Sequence, residues 1–158
     1  MKTIYLAGSI AGCSYKEATD WRVEFHGCLR DMGMRGVSPM RAKEFLKRKR
    51  KIINGEYPEE LSGSSSAIGT RDSYDVTHCD MIVAYLPKWA NERRPSYGTA
   101  MEIGKAHEAR VPLILVTDDA ALTNHPLVQD WVGWIVPTLG DALTIIGFVL
   151  EPYLEERT

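Results

Sequence analysis

Glu102 is the side chain whose surroundings in the sequence best suit covalent chemistry. It lies in residues 95–104, where Gly98 and Thr99 look like the beginning of a helix, so that Glu102 falls in the first turn of that helix. The positive end of a helix dipole favours an ionised carboxylate, which can act as a nucleophile or stabilise a developing oxocarbenium ion. The same spacing also fits an ordinary capping box, in which Thr99 would be the cap residue and Glu102 its partner three residues later. Spacing alone leaves both interpretations open.

Three carboxylates occur within residues 71–80, directly before a buried apolar run. Asp72 and Asp75 are three residues apart and would share one face of a helix. Asp80 stands at the start of the following strand, where a carboxylate usually caps or orients the chain, so we interpret it as structural. An oxocarbenium-like reaction needs a second carboxylic acid that assists the leaving group. Asp75 can be that acid.

A glycine-bearing turn follows the first apolar run, at residues 8–12. It lacks the G-x-G-x-x-G spacing that lets a pyrophosphate approach the backbone, and it is not a Walker loop. Dinucleotide and triphosphate binding are therefore not supported. Backbone N–H groups at Gly8 and Ser9 can still receive an anion or a sugar hydroxyl.

The elements that must position these residues alternate between strand and helix. Short apolar runs predict strands, and apolar residues at helical spacing predict helices. Such alternation with short links predicts one domain over residues 1–158, built on a doubly wound α/β sheet whose ligand site lies beyond the carboxyl ends of the strands. The predicted strands are residues 3–7, 34–38, 81–86, 112–117 and 133–136, and the predicted helices are residues 15–29, 98–109 and 139–150.

Composition excludes several classes of partner. The 158 residues are 44% hydrophobic and carry a net charge of −2, which is ordinary for a soluble domain and argues against binding to nucleic-acid polymers. Cys13, Cys28 and Cys79 lack paired spacing, so a reducing cytoplasm is expected, with neither a disulfide framework nor a zinc site. No apolar stretch approaches the roughly 18 residues of a membrane span, so no membrane partner is expected.

Two segments interrupt the alternation. Residues 43–51 contain six basic side chains, which we interpret as a solvated surface face. Residues 61–69 are rich in serine and glycine and predict a flexible segment, either a mobile lid or a long connection; the lid is favoured because the carboxylate-rich segment follows directly.

Three ordered motifs carry a family resemblance. They are Ile4-Tyr-Leu-Ala-Gly8, Tyr74-Asp75 before the strand Cys79-Asp80-Met-Ile-Val-Ala84, and Ser96-x-Gly-Thr-x-x-Glu-Ile-Gly104. Together they resemble the nucleoside 2-deoxyribosyltransferase family and the related nucleoside 5'-monophosphate N-glycosidases, from Thr3 to about Pro137. The resemblance implies a flavodoxin-like five-stranded parallel sheet in a homo-oligomer. It also implies small-molecule nucleoside or nucleotide substrates, with no cofactor and no metal.

The resemblance assigns the catalytic roles. Glu102 would attack C1' of the sugar and form a glycosyl-enzyme intermediate, which a base or water then resolves. Tyr5 would hydrogen-bond the Glu102 carboxylate and orient it, and Asp75 would handle the proton on the departing base. Arg41, after the second strand, would contact phosphate or a base edge through its planar guanidinium.

The remaining expected contacts concern the sugar and the phosphate. Six residues before the catalytic glutamate, similar deoxyribosyltransferases carry an aspartate, whereas this chain has Ser96, as do the monophosphate N-glycosidases. A hydroxyl donates to a phosphate oxygen without the repulsion of a carboxylate. Ser9, Gly98 and Thr99 belong to the same matched segments. Asn124, in a loop that reaches a neighbouring subunit's site in similar enzymes, would donate to sugar or phosphate, although a plain turn explains it equally well.

Three functions follow from the residues and the resemblance. The first is a cytoplasmic deoxyribosyltransferase that cleaves 2'-deoxynucleosides or their 5'-monophosphates and passes the sugar to an acceptor base. The second is a nucleoside 5'-monophosphate N-glycohydrolase, which Ser96, Arg41 and the absence of a C-terminal tyrosine favour. The third, of another class, is a nucleotide-binding sensor without chemistry; the joint presence of Tyr5, Asp75 and Glu102 argues against it.

Overall fold

A computed structural model of the chain describes residues 1–53, 55, 57–58, 63–88 and 96–151. Its five strands form one parallel sheet in the order β2-β1-β3-β4-β5, which is the flavodoxin-like order and confirms the predicted fold class. The strands are β1 (Thr3–Gly8), β2 (Arg35–Val37), β3 (Met81–Tyr85), β4 (Leu113–Val116) and β5 (Trp134–Val136), and the helices are α1 (Tyr15–Asp31), α2 (Ser65–His78), α3 (Tyr97–Glu108), α4 (Ala120–Thr123), α5 (Pro126–Trp131) and α6 (Leu139–Leu150).

Helices cover both faces of the sheet, and the alternation along β1 decides which face each side chain meets. Ile4 and Leu6 point to the face covered by α1 and α6, where they pack with Phe25. Tyr5 points to the opposite face, where Val76 of α2 and Ile103 of α3 belong to the same buried cluster. The strand order reverses between β1 and β3, so the topology predicts a ligand crevice at the carboxyl ends of these two strands.

The helix starts follow from local capping. Ser14 caps α1 and forms a capping box with Glu17. Ser64 caps α2 by accepting from the Ala67 backbone N–H. The prediction of a lid or a flexible connection over residues 61–69 is wrong where the structure describes it, because Ser64 supplies a cap that the serine-rich composition concealed, and α2 begins at Ser65. Residues 61 and 62 lie outside the described residues.

The other differences from the sequence predictions are small. β2 is two residues shorter than predicted, β4 is one residue shorter at each end, β5 begins one residue later, and α3 begins and ends one residue earlier. The loop predicted after β4 contains two short helices, α4 and α5. None of the described helices is long and apolar enough to cross a membrane.

Candidate active site

A tyrosine of β1 and a glutamate of α3 meet beside the sheet. The Tyr5 hydroxyl donates to Glu102 Oε1 at 2.6 Å. Tyr5 is completely buried, so the strand holds its ring rigidly against α3. Desolvation by burial raises the pKa of Tyr5 strongly, and the charge of Glu102 raises it further. Tyr5 is therefore a fixed hydrogen-bond donor to the carboxylate, with its proton in place at every physiological pH.

Glu102 does not occupy the position expected from the spacing. Ser96 is the N-cap of α3, and its hydroxyl accepts from the Thr99 backbone N–H at 3.3 Å. With Tyr97 as the first helical residue, Glu102 lies in the second turn. The prediction that Glu102 lies in the first turn is therefore wrong, and so is the capping-box alternative, because Ser96 supplies the cap. Glu102 instead points at β1.

The ionisation of Glu102 is set mainly by its burial. Desolvation raises its pKa to about 7, the hydrogen bond from Tyr5 opposes this, the charge of Asp72 raises the pKa, and the charges of Arg22 and Lys43 lower it. The expectation of a carboxylate kept ionised by the helix dipole is replaced by one that titrates near neutrality. Such a group can serve as a nucleophile or as a base close to pH 7.

A buried arginine supports the turn at the end of β1. The Arg22 guanidinium, 2% exposed, donates to the carbonyls of Leu6 at 3.0 Å and Gly8 at 2.9 Å, and also to that of Ala18. Burial lowers its pKa to about 10, and the nearby charge of Glu102 raises it. A Cβ on Gly8 would lie 2.9 Å from the Tyr85 carbonyl oxygen, so only glycine fits there. Sequence reasoning missed Arg22; a basic residue among the apolar positions of α1 was the available signal.

A second carboxylate, Asp72, faces the site from α2. Its Oδ1 accepts from Arg71 at 2.8 and 3.1 Å, and its Oδ2 lies 3.6 Å from the Lys43 ammonium. The charge of Asp72 raises the pKa values of both Tyr5 and Glu102. Lys43 is 3% exposed, which shows that the prediction of a solvated basic face is wrong at this residue. The other basic side chains of residues 43–51 are exposed.

Asp75, one turn further along α2, is engaged differently. Its carboxylate is 12% exposed and faces the Arg41 guanidinium at 2.9 Å from Nη2 to Oδ1 and 2.7 Å from Nη1 to Oδ2. The structure therefore brings together two residues that the sequence analysis placed in the site, as an ion pair with each other. The charge of Asp72, one turn earlier on α2, raises the pKa of Glu102.

The residues predicted to contact the sugar and the phosphate differ in how exposed they are to solvent. Ser9 is partly buried just beyond β1, and Gly98 is exposed in the first turn of α3. Thr99 is 1% exposed, and its Oγ1 has no hydrogen-bond partner among the described residues. Asn124 is exposed and ends α4, and the described contacts do not bring its side chain to the Tyr5–Glu102 pair.

Asp80 has a structural role, in agreement with the interpretation from sequence. It accepts from the Thr3 backbone N–H at 2.8 Å and from Lys2 at 2.8 Å, which joins the starts of β1 and β3. These contacts lower its pKa against the effect of its partial burial. Within the described parts of the chain, no group of three His, Cys, Asp or Glu side chains could hold a metal ion.

Comparison with protein families decides which group of proteins this site belongs to. The model of the nucleoside 2-deoxyribosyltransferase family matches residues 4–145. The chain belongs to this family. The match extends over all five strands and includes Tyr5, Asp72 and Glu102, and it confirms the resemblance seen in the three motifs. No curated protein sequence matches the chain.

Solved structures share the fold at low sequence identity. The 2-deoxyribosyltransferase of Bacillus psychrosaccharolyticus superposes with a TM-score of 0.60 at 19% identity, over 89% of this chain and 90% of its own. The 2-desoxiribosyltransferase of Leishmania mexicana gives 0.61 at 15%, over 95% and 99%. The CMP N-glycosidase BcmB of Clostridium botulinum gives 0.55 at 18%, over 93% and 99%. At these identities the likeness establishes the fold.

Proposed function

We propose that this protein is an enzyme that cleaves the N-glycosidic bond of a 2'-deoxynucleoside or its 5'-monophosphate and transfers the sugar to another base. The observation that carries the proposal is the Tyr5–Glu102 hydrogen bond of 2.6 Å in a member of the deoxyribosyltransferase family. Glu102 attacks C1' and forms a glycosyl-enzyme intermediate as the base departs. An acceptor base then takes the sugar from Glu102.

The hydrogen bond from Tyr5 supports the nucleophilic role in two ways. It fixes Glu102 Oε1, so the other carboxylate oxygen is the one that can face the sugar carbon. It also favours the ionised carboxylate against the effect of burial. With its pKa at about 7, Glu102 is substantially ionised in the free site and becomes fully so above neutrality.

A second carboxyl group is needed for the proton of the departing base. Asp75 was assigned this role by resemblance; like Asp72 it is ion-paired, in its case with the guanidinium of Arg41. Asp72 lies in the electrostatic environment of Glu102 and is shared between Arg71 and Lys43. We therefore propose Asp72 as the proton-handling carboxylate, with the Arg41–Asp75 pair at the rim of the site, where the base or phosphate edge meets it.

The sugar and the 5' end are placed toward the start of α3. The oxygen of the Ser96 hydroxyl accepts from the Thr99 N–H, which leaves its own hydrogen free to donate to a substrate oxygen. The first N–H groups of a helix have no partner within the helix and suit an anion. We propose that Gly8 and Ser9, at the end of β1, contribute backbone N–H groups to the same substrate. Thr99 Oγ1, which is buried and has no hydrogen-bond partner among the described residues, is a further polar group in the first turn of α3.

A nucleoside 5'-monophosphate N-glycohydrolase is the second candidate. Ser96 favours it, because a serine cap donates to a phosphate whereas an aspartate cap would repel it. In this reaction water rather than a base resolves the intermediate. A nucleotide-binding sensor is a third hypothesis. The buried Tyr5–Glu102 pair argues against it, because a sensor does not need that pair.

The proposal includes a homo-oligomer in which a neighbouring subunit completes the site. Tyr97 and Met101 are 70% and 74% exposed at successive turns of α3, next to Glu102. Apolar side chains in such an exposed stripe are typical of a surface that another subunit covers. Sedimentation velocity of Met101→Glu against the unchanged protein tests this, and an unchanged monomer in both would contradict it.

Product analysis distinguishes the two enzymes. The protein is incubated with deoxynucleosides and with their 5'-monophosphates, with and without a second free base, and all products are separated by chromatography. A new nucleoside formed only with acceptor base establishes the transferase. Free base with sugar or sugar phosphate, independent of acceptor, establishes the hydrolase. Absence of products from every substrate, while one of them binds, supports the sensor.

A further inference from the structure

One lysine of the basic segment has a different environment from all the others. Lys43 is 3% exposed, whereas the basic side chains at residues 47–51 are exposed. Lysine is almost never buried unless another group compensates its charge. The residue before it, Ala42, has φ of 58°, a left-handed conformation that is uncommon for a residue with a Cβ and is often found at functional sites. The chain adopts this conformation where it turns Lys43 inward.

Among the residues that the structure describes, the compensation that Lys43 receives is incomplete. Its ammonium lies 3.6 Å from Asp72 Oδ2, which is longer than the roughly 2.7–2.9 Å of a close charge-assisted hydrogen bond. Asp72 already accepts two hydrogen bonds from Arg71 at 2.8 and 3.1 Å. One carboxylate is thus shared between two cations. A lysine ammonium has three donors, so Lys43 retains donors for a further oxygen acceptor.

The position of Lys43 relative to Glu102 indicates which part of a substrate it meets. Lys105 of α3 donates to Ser73 of α2, so side chains of the two helices meet one residue after Asp72 and three residues after Glu102. Ser96 lies six residues before Glu102, roughly 9 Å along the helix axis. If C1' of the sugar meets Glu102 and the 5' end points toward Ser96, the base lies on the side of Asp72 and Lys43. This step rests on the proposed function.

We propose that the Lys43 ammonium donates a hydrogen bond to a carbonyl oxygen of the departing nucleobase, and that the preferred base carries this oxygen beside its glycosidic nitrogen, as pyrimidines do. As Glu102 forms its bond to C1', the bond from C1' to the base nitrogen breaks, and its electron pair leaves with the base. The negative charge spreads onto the adjacent oxygen, where Lys43 stabilises it. Asp72 then passes to the base nitrogen a proton that it takes up from solvent. The mutual electrostatic influence of Lys43 and Glu102 agrees with this placement.

The test compares two substrates that share the carbonyl oxygen beside the glycosidic nitrogen but differ in the stability of the departing base anion. The wild type, Lys43→Met and the exposed control Lys51→Met are assayed on deoxyuridine and on 5-fluorodeoxyuridine, or on their 5'-monophosphates if only those are cleaved. Fluorine stabilises the departing anion, so the faster-leaving base depends less on Lys43. We expect Lys43→Met to lose about 100-fold or more in kcat/KM on the uracil substrate and clearly less on the fluorinated one. Lys51→Met should match the wild type.

Equal losses on the two substrates would overturn the proposal, since a lysine that only supports the fold lowers both rates alike. Cleavage of purine nucleosides alone by the wild type would overturn the preference for pyrimidines. Lys43→Gln, with a similar length and a neutral polar end, repeats the comparison if Lys43→Met does not fold. These outcomes are separate from failure of the proposed function, which would appear as unchanged cleavage by a Glu102→Ala variant.

Discussion

Replacing Tyr5 with phenylalanine removes one hydroxyl and leaves the buried ring in place. That hydroxyl donates to Glu102 Oε1 at 2.6 Å and lowers the pKa of Glu102, which burial has raised to about 7. A hydrogen bond to a charged group stabilises that group by roughly 1.5–3 kcal/mol, and about 1.4 kcal/mol corresponds to a change of one unit in pKa. Tyr5→Phe should therefore raise the pKa of Glu102 by about one to two units.

The assay is the pH dependence of kcat/KM between pH 5 and 10 on whichever substrate the wild type cleaves. The nucleophile must be ionised, so activity rises with pH through the pKa of Glu102, and the acid limb of the Tyr5→Phe profile should move upward. The deficit of the variant should be larger at pH 6 than at pH 9. Tyr74→Phe, an exposed tyrosine outside the site, is the matched control and should leave the profile unchanged. An acid limb that stays in place or moves downward would refute the argument.

Three further results are expected. Because the pKa of Glu102 is raised from 4.5 to about 7 in the folded protein, ionisation of Glu102 lowers the free energy of unfolding as pH rises through this interval. Glu102→Gln should therefore have a free energy of urea unfolding up to about 3 kcal/mol higher than the wild type at pH 8, and a similar one at pH 4. An equal difference at both pH values would contradict this. Ser96→Asp keeps a competent helix cap and should weaken a 5'-monophosphate at least tenfold more than the free nucleoside in kcat/KM, whereas equal losses would remove the phosphate contact. Asp72→Asn should lower kcat by about 100-fold or more, and Asp75→Asn should act mainly on KM; the opposite pattern would return the proton-handling role to Asp75.

The fold was predictable because its signals are local. The apolar run around residues 81–86 identifies a strand buried on both faces, and α6 has the predicted bounds, residues 139–150. The start of α2 was not predictable from composition, since serine and glycine suggest a flexible link until one serine acts as a cap. The side-chain alternation that turns Tyr5 toward α3 follows from the strand once its register is known.

The candidate site was predictable only in part, because its electrostatics arise from distant segments. Motifs indicated Tyr5 and Glu102, which the structure joins. Nothing local in the sequence separates Lys43 from the other basic residues of its segment, yet it is buried against Asp72, 29 positions away. Arg22 bonds carbonyls of β1 that only the tertiary fold brings to it. The pKa of Glu102 depends on all of these charges together with burial, so helix-dipole reasoning from its position alone missed the raised pKa.

The central claim is that Glu102 is the covalent nucleophile, and trapping the intermediate tests it most directly. The protein is mixed with substrate in the absence of acceptor base, quenched with acid within the first turnovers, digested and analysed by mass spectrometry. The account predicts a sugar adduct on the peptide that contains Glu102, and neither adduct nor turnover in Glu102→Ala. Turnover by a folded Glu102→Ala variant, or an adduct on another residue, would contradict it.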